Sequence, residues 1–308
     1  MIETASPRDL LRRHGIRPLK RLGQSFLIDS NVIEKVVRTA RVGPGDTVVE
    51  IGAGLGVMTA MVARKAEKVV ALEVDRTVAA VLKEELRDID NVEAVEADVL
   101  LFDFSSLPTR LKIIGNIPYN ISTPILFRLL KFRNRIDSIT VMLQKEVGDR
   151  VAASPGSKAY GVLSVILSMY FEISREFTVS ADCFYPRPKV DSVVLRMVVR
   201  KNPVVPLASD EFFRRLVRTA LGQRRKTLMN TLRHSPLFPP SSEGDIHLVL
   251  QDLGIEERRR GETLTVEEFG RLSNALMPLT ISLTEQIPFG RENLPPGSPA
   301  DRDGGNER

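Results

Sequence analysis

The stretch Asn116-Ile117-Pro118-Tyr119 has the side chains and the backbone shape needed to bind the exocyclic amino group of a base. Such a nitrogen is a poor nucleophile, because its lone pair is delocalised into the ring, and it needs hydrogen-bond acceptors more than a strong base. The Asn116 oxygen can accept one amino hydrogen, and the carbonyl of Ile117 or Pro118 can accept the other. The Tyr119 ring offers a flat face on which the base can stack. These residues predict alkylation of a base amino group.

The elements on either side would place this turn at the edge of a sheet. Residues 111 to 114 form an apolar run typical of a buried strand, and Ser122 followed by Pro124 is typical of a capped helix start. In an open parallel sheet, such a turn faces the crevice in which ligands bind. An ordinary strand-to-helix turn is the alternative, because Asn and Pro are common turn residues.

A second group of residues predicts a nucleoside cofactor. A β-branched run at residues 47 to 51 leads into the glycine-rich loop 52–56, where glycines let the backbone come close to a ligand beside a helix N-terminus. Glu73 ends the next apolar run, 21 residues after Gly52, which suits the two hydroxyls of a ribose. Nicotinamide and S-adenosylmethionine sites share these features.

The third strand and the Asn116 turn favour S-adenosylmethionine over nicotinamide. Asp98 ends the predicted strand 92–97 and can accept a hydrogen bond from an adenine amino group, although a helix cap or a surface acid explains Asp98 alone equally well. Four successive strand ends would then supply glycines, a ribose acid, an adenine acid and an amino-group acceptor. Chance explains this ordered set of four much less easily than it explains Asp98 alone.

The pattern of apolar runs predicts an α/β fold with a small all-α C-terminal domain. Together with the S-adenosylmethionine set above, this pattern is similar to the Rossmann-like class I methyltransferases. The predicted sheet is mostly parallel, and its seven strands lie near residues 47–51, 69–72, 92–97, 111–114, 138–143, 171–179 and 191–199, the last two as a hairpin-like pair. The expected organisation is a basic lead-in (1–29), a methyltransferase domain (30–201), a helical RNA- or ribosome-binding domain (208–280) and a disordered tail (286–308).

Basic and aromatic residues indicate a polyanionic partner. The net charge is only +5, but residues 1–24 contain six Lys or Arg against two acids, and residues 200–234 contain nine against two. The loop 183–190 presents Phe184 and Tyr185 beside two cations, which suits stacking of an unpaired base, although a core position is the alternative for Phe184. The charge pattern does not distinguish RNA from DNA, and the residues expected to bind this partner, RNA if the resemblance given below holds, are Arg187, Lys189, Arg224, Arg225 and Lys226.

Composition argues against several other classes of protein. One cysteine excludes an internal disulfide, and three scattered histidines argue against a zinc cluster, so we expect no metal site. No apolar run is long enough to span a membrane, and the N-terminus has no apolar signal core. We therefore expect a cytoplasmic protein, and we expect it to act as a monomer.

Taken together, these motifs resemble one family. Its signatures in this chain are Gly23 to Leu27, Glu50 to Gly56, Gly115 to Ser122, Gln144 to Val147, Pro155 to Gly161, Phe184 with Pro186 to Ser192, and Gln223 to Leu228. Over about residues 8 to 280, the chain resembles the small-subunit ribosomal RNA adenine dimethyltransferases, the KsgA family. The resemblance implies transfer of two methyl groups from S-adenosylmethionine to N6 of each of two adjacent adenosines. These adenosines lie in the hairpin loop near the 3′ end of small-subunit (16S) rRNA, and the immature small subunit is the implied partner in ribosome biogenesis.

The resemblance also implies roles for individual residues. The family's cofactor contacts fall on Ser25, Leu27, Gly52, Glu73, Asp98 and Asn116. Tyr119 and Phe184 would hold the target adenine, next to the Pro118 turn. Ser25 departs from the family's usual Asn or His, and its shorter side chain reaches less far toward the methionine end of the donor.

Three alternatives share parts of this pattern. A resistance-type enzyme acting on large-subunit rRNA has the same catalytic half, but residues 223–228 and the Pro186 to Ser192 stretch favour the small subunit. An adenine-N6 DNA methyltransferase would usually have a tighter Asn/Asp-Pro-Pro-Tyr motif and a target-recognition insert. A mainly non-catalytic assembly factor would not need the intact set of Gly, Glu, Asp and Asn residues.

Overall fold

The computed structural model describes residues 7–19 and 22–280. In these ranges the strands are β1 (Phe26–Leu27), β2 (Thr47–Ile51), β3 (Lys68–Glu73), β4 (Val92–Glu96), β5 (Leu111–Asn116), β6 (Ile136–Gln144), β7 (Phe171–Val179), β8 (Phe184–Tyr185) and β9 (Ser192–Val199). The α-helices are α1 (Pro7–Arg13), α2 (Ser30–Thr39), α3 (Val57–Ala63), α4 (Arg76–Glu85), α5 (Ser122–Lys131), α6 (Lys145–Val151), α7 (Val162–Ser168), α8 (Asp210–Gly222), α9 (Leu228–Arg233), α10 (Glu243–Asp252) and α11 (Val266–Leu276). Residues 1–6, 20 and 21 of the expected lead-in and the whole expected tail lie outside the described ranges.

Seven strands form one sheet in the order β4-β3-β2-β5-β6-β9-β7. The pairs from β4 to β6 are parallel, whereas β9 is antiparallel to both β6 and β7. This arrangement confirms the predicted α/β class, including the hairpin-like pair. Because the chain proceeds outward in one direction from β2 to β4 and in the other from β5 to β6, the order reverses between β2 and β5. Ligands bind at such a reversal in doubly wound sheets.

The central strands are buried on both faces, which explains their nearly continuous apolar sequences. Along β2, Val48 belongs to a hydrophobic cluster with α2 and α3, while Val49 belongs to another with α5 and α7. Successive residues of a strand point to opposite faces, so the alternation places helices on each side of the sheet. In the β2–β5 pairing, Ile51 lies opposite Gly115. The register therefore brings the two loops that follow these strands, at Gly52 and Asn116, side by side.

A short two-stranded ribbon lies outside the main sheet. Its strands β1 and β8 are antiparallel, with Phe26 opposite Tyr185 and Leu27 opposite Phe184. The sequence predicts an extended lead-in over residues 18–28, but it does not predict this partner. The ribbon joins the lead-in to the loop that follows β7.

The C-terminal helices α8 to α11 pack on the sheet region through α7. Phe212 and Phe213 of α8 lie in the same hydrophobic cluster as Met169 and Tyr170. The Tyr170 hydroxyl donates to Asp210 at 2.7 Å. One continuous core thus crosses the expected boundary between the methyltransferase and helical domains, and the domain division stays a prediction.

The starts of α2 and α11 follow the capping pattern, whereas the start of α5 does not. Asp29 accepts hydrogen bonds from the backbone of Asn31 and Val32 at the start of α2, and Thr265 forms a capping box with Glu268 at α11. The predicted Ser122 cap is wrong. A 3₁₀ turn over residues 119–121 precedes α5, so Ser122 is already helical and its hydroxyl donates to the Tyr119 carbonyl.

Three further observations concern the cysteine, membrane-spanning helices and metal-binding groups. Cys183 is a free thiol. Across residues 7–19 and 22–280, no helix has the length and apolar character needed to cross a membrane. The same residues hold no group of three or more His, Cys, Asp or Glu side chains that could bind a metal ion.

Candidate active site

One cavity of about 300 Å³ lies at the carboxyl ends of β2, β3 and β5, under the lead-in. It brings together all six expected cofactor contacts and the whole predicted turn. The residues concerned are Ser25, Leu27, Gly52, Glu73, Asp98, Asn116, Ile117, Pro118 and Tyr119. The topological reversal of the sheet and the observed cavity therefore coincide.

The glycine-rich loop forms one wall of this cavity. Gly54 has a φ of 58°, and a Cβ there would come within 3.2 Å of the Phe26 ring. A Cβ on Gly52 would come within 3.3 Å of the Asn116 carbonyl oxygen. The glycine loop and the Asn116 turn thus pass close to each other, and the φ of 71° at Gly52 favours glycine at this position.

The Glu73 carboxylate is fixed by backbone N–H groups. One oxygen accepts from Gly54 and the other from Val74 and Asp75, each at 3.0 Å. Burial raises the pKa of Glu73, while these hydrogen bonds oppose that rise. A carboxylate has about four acceptor positions, so this one retains capacity for a ligand hydroxyl.

Asp98 is half-buried at the far side of the cavity. One of its carboxylate oxygens accepts from the Leu100 N–H at 2.8 Å, and its carbonyl accepts from Leu101 and Phe102. Asp98 therefore organises a turn after β4, and no helix begins there. Its second carboxylate oxygen makes no hydrogen bond to the described residues and can accept one from a ligand.

Glu50 is a cavity residue that reasoning from the sequence did not single out. It is 1% exposed, and neither of its carboxyl oxygens has a hydrogen-bond partner among the described residues. Its pKa is raised to about 8, mainly by burial; the nearby Thr59 hydroxyl lowers the pKa and the Glu73 carboxylate raises it. The Thr59 hydroxyl does not make a well-formed hydrogen bond to Glu50. The signal in the sequence is an acid near the end of an otherwise apolar strand.

The Asn116 side chain is oriented by the lead-in. Its amide nitrogen donates to the Ser25 carbonyl at 2.8 Å, which leaves the amide oxygen as an acceptor. The Pro118 carbonyl already accepts from the Ile121 N–H at 3.3 Å. The Ile117 carbonyl is therefore the better second acceptor of the two that the sequence left open.

Tyr119 is half-buried at the cavity wall, and its hydroxyl shares a hydrogen bond of 2.6 Å with Ser192. Burial raises the pKa of Tyr119, the Ser192 hydrogen bond lowers it, and Asp191 raises it. The net rise keeps the phenol neutral. Its hydrogen bond to the start of β9 restricts the ring.

Phe184, the second residue expected to hold the adenine, is not among the residues that line the cavity. It is 2% exposed and packs in the hydrophobic cluster that contains Ile33 and Met142. Its core position arises because β8 pairs with β1 and turns Phe184 inward. In this conformation Phe184 is a core residue, which is the alternative that the sequence analysis gave for it. A stacking role would require the ring to become exposed.

The basic residues expected to bind RNA lie in two groups. Arg187 and Lys189 line an open groove of about 1,010 Å³, together with Lys145, Arg150 and Lys158. Arg225 and Lys226 are exposed on the helical region. Arg224 differs from the rest, because its guanidinium binds Glu262 at 2.8 Å and the Lys158 carbonyl at 2.9 Å, so it joins the helical region to the loop before α7.

Comparison with known proteins identifies the family. The family model described as ribosomal RNA adenine dimethylase matches residues 17–276. The chain belongs to the ribosomal RNA adenine dimethylase family. Among its curated relatives are proteins named ribosomal RNA small subunit methyltransferase A. The protein from Syntrophus aciditrophicus is 44% identical over 274 residues, 87% of this chain and 98% of the relative. The protein from Moorella thermoacetica is 46% identical over 279 residues, 87% and 95% of the two chains.

Two solved structures share the dimethylase fold. The 23S rRNA methyltransferase ErmE has a TM-score of 0.65 and 27% identity, and the match covers 82% of this chain and 99% of ErmE. A dimethyladenosine transferase from Plasmodium falciparum has a TM-score of 0.68 and 24% identity, with 79% and 94% covered. The second likeness shows the fold alone.

The dimethylase cavity fits S-adenosylmethionine, the donor in this family's reaction. Glu73 would hold the ribose hydroxyls, Asp98 the adenine amino group, and the loop at Gly52 lets the donor approach the backbone closely. The buried carboxyl of Glu50, which has no hydrogen-bond partner among the described residues, suits a ligand that carries positive charge at its methionine end.

Proposed function

We propose that this protein transfers methyl groups from S-adenosylmethionine to N6 of two adjacent adenosines in the 3′-terminal hairpin loop of small-subunit rRNA. The products would be dimethyladenosines, formed during small-subunit biogenesis. One observation carries the proposal: the acceptor side chain of Asn116 and the glycine loop at Gly52 line a single cavity. The small-subunit relatives at 44% and 46% identity support the choice of RNA.

S-adenosylmethionine supplies an electrophilic methyl group, so the protein has mainly to position the nucleophile and stabilise charge. The Asn116 oxygen and the Ile117 carbonyl would accept the two amino hydrogens of the target adenine and direct its lone pair toward the methyl group. As the new N–C bond forms, the bond between the methyl group and sulfur would break with its electron pair left on sulfur, and the same acceptors would stabilise the positive charge that develops on nitrogen. The methylated nitrogen would then lose one proton to solvent. The mechanism needs no side chain as a general base.

The target adenine must leave its stack to enter the cavity. Unstacking costs a few kcal/mol, and less in a loop than in a duplex. Tyr119 offsets this cost by stacking against the base, with its hydroxyl held by Ser192. For the second transfer, the monomethylated adenine has one N–H left to donate, so only one of the two acceptors remains in use.

The groove that contains Arg187 and Lys189 would hold the phosphates on either side of the flipped adenosine. Arg225 and Lys226 would contact rRNA from the helical region. We further propose that the enzyme acts in the cytoplasm, as a monomer, on immature small subunits. If Phe184 contacts the adenine, as the resemblance implies, binding of the substrate must first expose its ring.

The test is methyl transfer from labelled donor to small subunits isolated from a strain that lacks the modification. We expect donor-dependent label in the small-subunit rRNA, with N6,N6-dimethyladenosine found by nucleoside analysis at two adjacent positions. Large-subunit rRNA serves as the control, because ErmE shares the fold. Label only in large-subunit rRNA, or no label at all, would overturn the proposal.

A further inference from the structure

Tyr185 is the one exposed aromatic side chain among residues 7–19 and 22–280, with 50% of its surface accessible. Its neighbour Phe184 is buried, so the two adjacent aromatics of β8 face different surroundings. Large apolar rings are normally covered, and exposed ones concentrate at binding sites. The position of Tyr185 in the fold indicates what it could bind.

The β1–β8 register places Tyr185 beside the active-site cavity. Tyr185 lies directly opposite Phe26, and residues opposite each other in an antiparallel pair share one face of the ribbon. The Phe26 ring lies against Gly54 and lines the cavity. Both residues of β1 line the cavity, and Tyr185, which does not line it, is exposed on the strand that pairs with β1.

Two hydrogen bonds connect the residue after Tyr185 to the proposed amino-group acceptor. The Ser25 hydroxyl donates to the Pro186 carbonyl at 2.8 Å. The Ser25 carbonyl accepts from the Asn116 amide nitrogen, also at 2.8 Å. Ser25 thus links the backbone of the residue after Tyr185 to the Asn116 side chain.

Charges around Tyr185 suit the backbone of a nucleic acid. Arg187 and Lys189 follow it in the chain and are exposed. Arg187 forms an ion pair with Asp182 at 3.1 Å, but both side chains are 69% exposed, so a phosphate can compete for the guanidinium. An exposed ring flanked by accessible cations is the arrangement that single-stranded RNA requires.

We propose that Tyr185 stacks against the nucleotide next to the target adenosine. The target base would enter the cavity against Tyr119, while its neighbour stays outside on the Tyr185 ring. This inference rests on the proposed function, and it adds a specific site for the second of the two adjacent bases. It also gives a reason for the opposite orientations of Phe184 and Tyr185.

A fluorescence experiment tests the contact directly. The sequence contains no Trp, so Tyr185→Trp introduces a single tryptophan reporter in the full-length protein. We expect a hairpin RNA with the two adjacent adenosines to quench its emission, and donor alone to leave the emission unchanged. A hairpin with an abasic site in place of the neighbouring adenosine should bind without that quenching. Equal quenching by both hairpins would overturn the proposal.

Kinetics provide a second, independent measurement. Tyr185→Ala should raise the KM for RNA by about five- to a hundredfold, while kcat and donor affinity stay unchanged. Tyr185→Phe, which keeps the ring, should behave like the wild type. Leu248→Ala, a change at an exposed apolar residue of α10, is the matched control and should have no effect.

The outcomes separate the two proposals. If the wild type methylates small subunits but Tyr185→Ala has a normal KM, the Tyr185 site is wrong and the proposed function stands. A Tyr185→Phe variant as impaired as Tyr185→Ala would also rule out stacking as its role. If the wild type neither binds the hairpin nor methylates small subunits, the proposed function itself fails, and the Tyr185 site fails with it.

Discussion

The two ends of the parallel strands hold their polar groups in opposite ways. At the amino end, Asp46 accepts from the Gly43 N–H at 2.6 Å and from Lys112 at 2.7 Å, and Lys112 also donates to the Arg41 carbonyl at 2.6 Å. Partial burial raises the pKa of Asp46, but the hydrogen bonds to Lys112 and Gly43 and the nearby positive charges together lower it by more, so the net change is downward. At the carboxyl end, Glu50 has no hydrogen-bond partner among the described residues, and its pKa is about 8.

This difference shows which end of the sheet is built for stability and which for a ligand. Buried polar groups in native proteins are nearly always hydrogen-bonded, and exceptions need an explanation. Among the described residues, buried groups without a partner also occur at Thr59, Arg128, Thr140 and Arg196, outside the cavity. Glu50 is the carboxyl among them, and it lines the cavity together with Asn116 and Asp98, each of which has an oxygen free to accept a hydrogen bond. The same sheet therefore has hydrogen-bonded polar groups at the amino ends of its strands, and hydrogen-bond acceptors without a partner among the described residues at the carboxyl ends.

The largest expected effect is the loss of catalysis in Asn116→Ala. Removing the acceptor should lower kcat by about a hundredfold or more, because transition-state charge on the amino group loses its partner. Donor affinity should change little, since Glu73 and the glycine loop remain. Methyl incorporation and titration calorimetry measure the two quantities. Asn134→Ala, at an exposed position after α5, is the control. Normal turnover by Asn116→Ala would contradict the claim that the carboxyl ends of the strands are built for a ligand.

Glu50→Gln should change how stability depends on pH. The pKa of Glu50 is about 8 in the folded protein, against an ordinary value of 4.5, so between these values the folded state binds more protons than the unfolded state. The free energy of unfolding of the wild type should therefore fall as pH rises from about 5 to about 8, by on the order of a few kcal/mol. The amide has no proton to lose, so this fall should largely disappear in the variant.

Urea unfolding of both proteins across this pH range is the measurement for Glu50. Parallel pH profiles for the wild type and Glu50→Gln would show that the buried carboxyl is not protonated in the folded state. The carboxyl end would then resemble the amino end more closely than we infer.

Glu73→Gln should weaken donor binding by about ten- to a hundredfold. Both carboxylate oxygens accept backbone N–H groups, so an amide would bring its own donor against at least one of them and disturb the loop. Glu96→Gln is a matched control, because Glu96 lies opposite Glu73 on β4 and is exposed. Calorimetric titration with S-adenosylmethionine gives the affinities, and equal values for the two variants would contradict the assignment of Glu73.

The smallest effect is expected at the amino end. Asp46→Asn should lower the free energy of unfolding by about 1–2 kcal/mol, through the weakened contacts with Lys112 and Gly43, and leave donor affinity unchanged. Because the pKa of Asp46 is lowered, its contribution should be present above its ordinary pKa and be lost as pH falls through the folded value. Asp137→Asn, in an exposed pair with Arg110, should change stability little. A loss of donor binding in Asp46→Asn would argue against the division between the two ends.

The sequence predicts the sheet well because its central strands are buried on both faces. A strand is predicted over residues 47–51, and the central strand β2 has these bounds. The edge strand β7 also has its predicted bounds, residues 171–179. Long apolar runs and strong turn residues carry this information locally, so no distant partner has to be known.

The parts of the site that the sequence does not predict depend on distant contacts. The strands of the β1–β8 ribbon have two residues each, too few for any periodicity, and their pairing decides that Phe184 turns inward while Tyr185 stays exposed. Likewise, Glu50 is recognisable as part of the glycine-loop motif, but its lack of a hydrogen-bond partner among the described residues depends on how α3 and β3 pack around it.

The most direct test of the central claim is a crystal structure of the protein with S-adenosylhomocysteine and an RNA hairpin that contains the two adenosines. We predict a flipped adenine whose N6 lies about 3 Å from the Asn116 side-chain oxygen and faces the sulfur of the donor product above Gly52. An adenine bound outside this cavity, or one whose amino group points away from Asn116, would contradict the account.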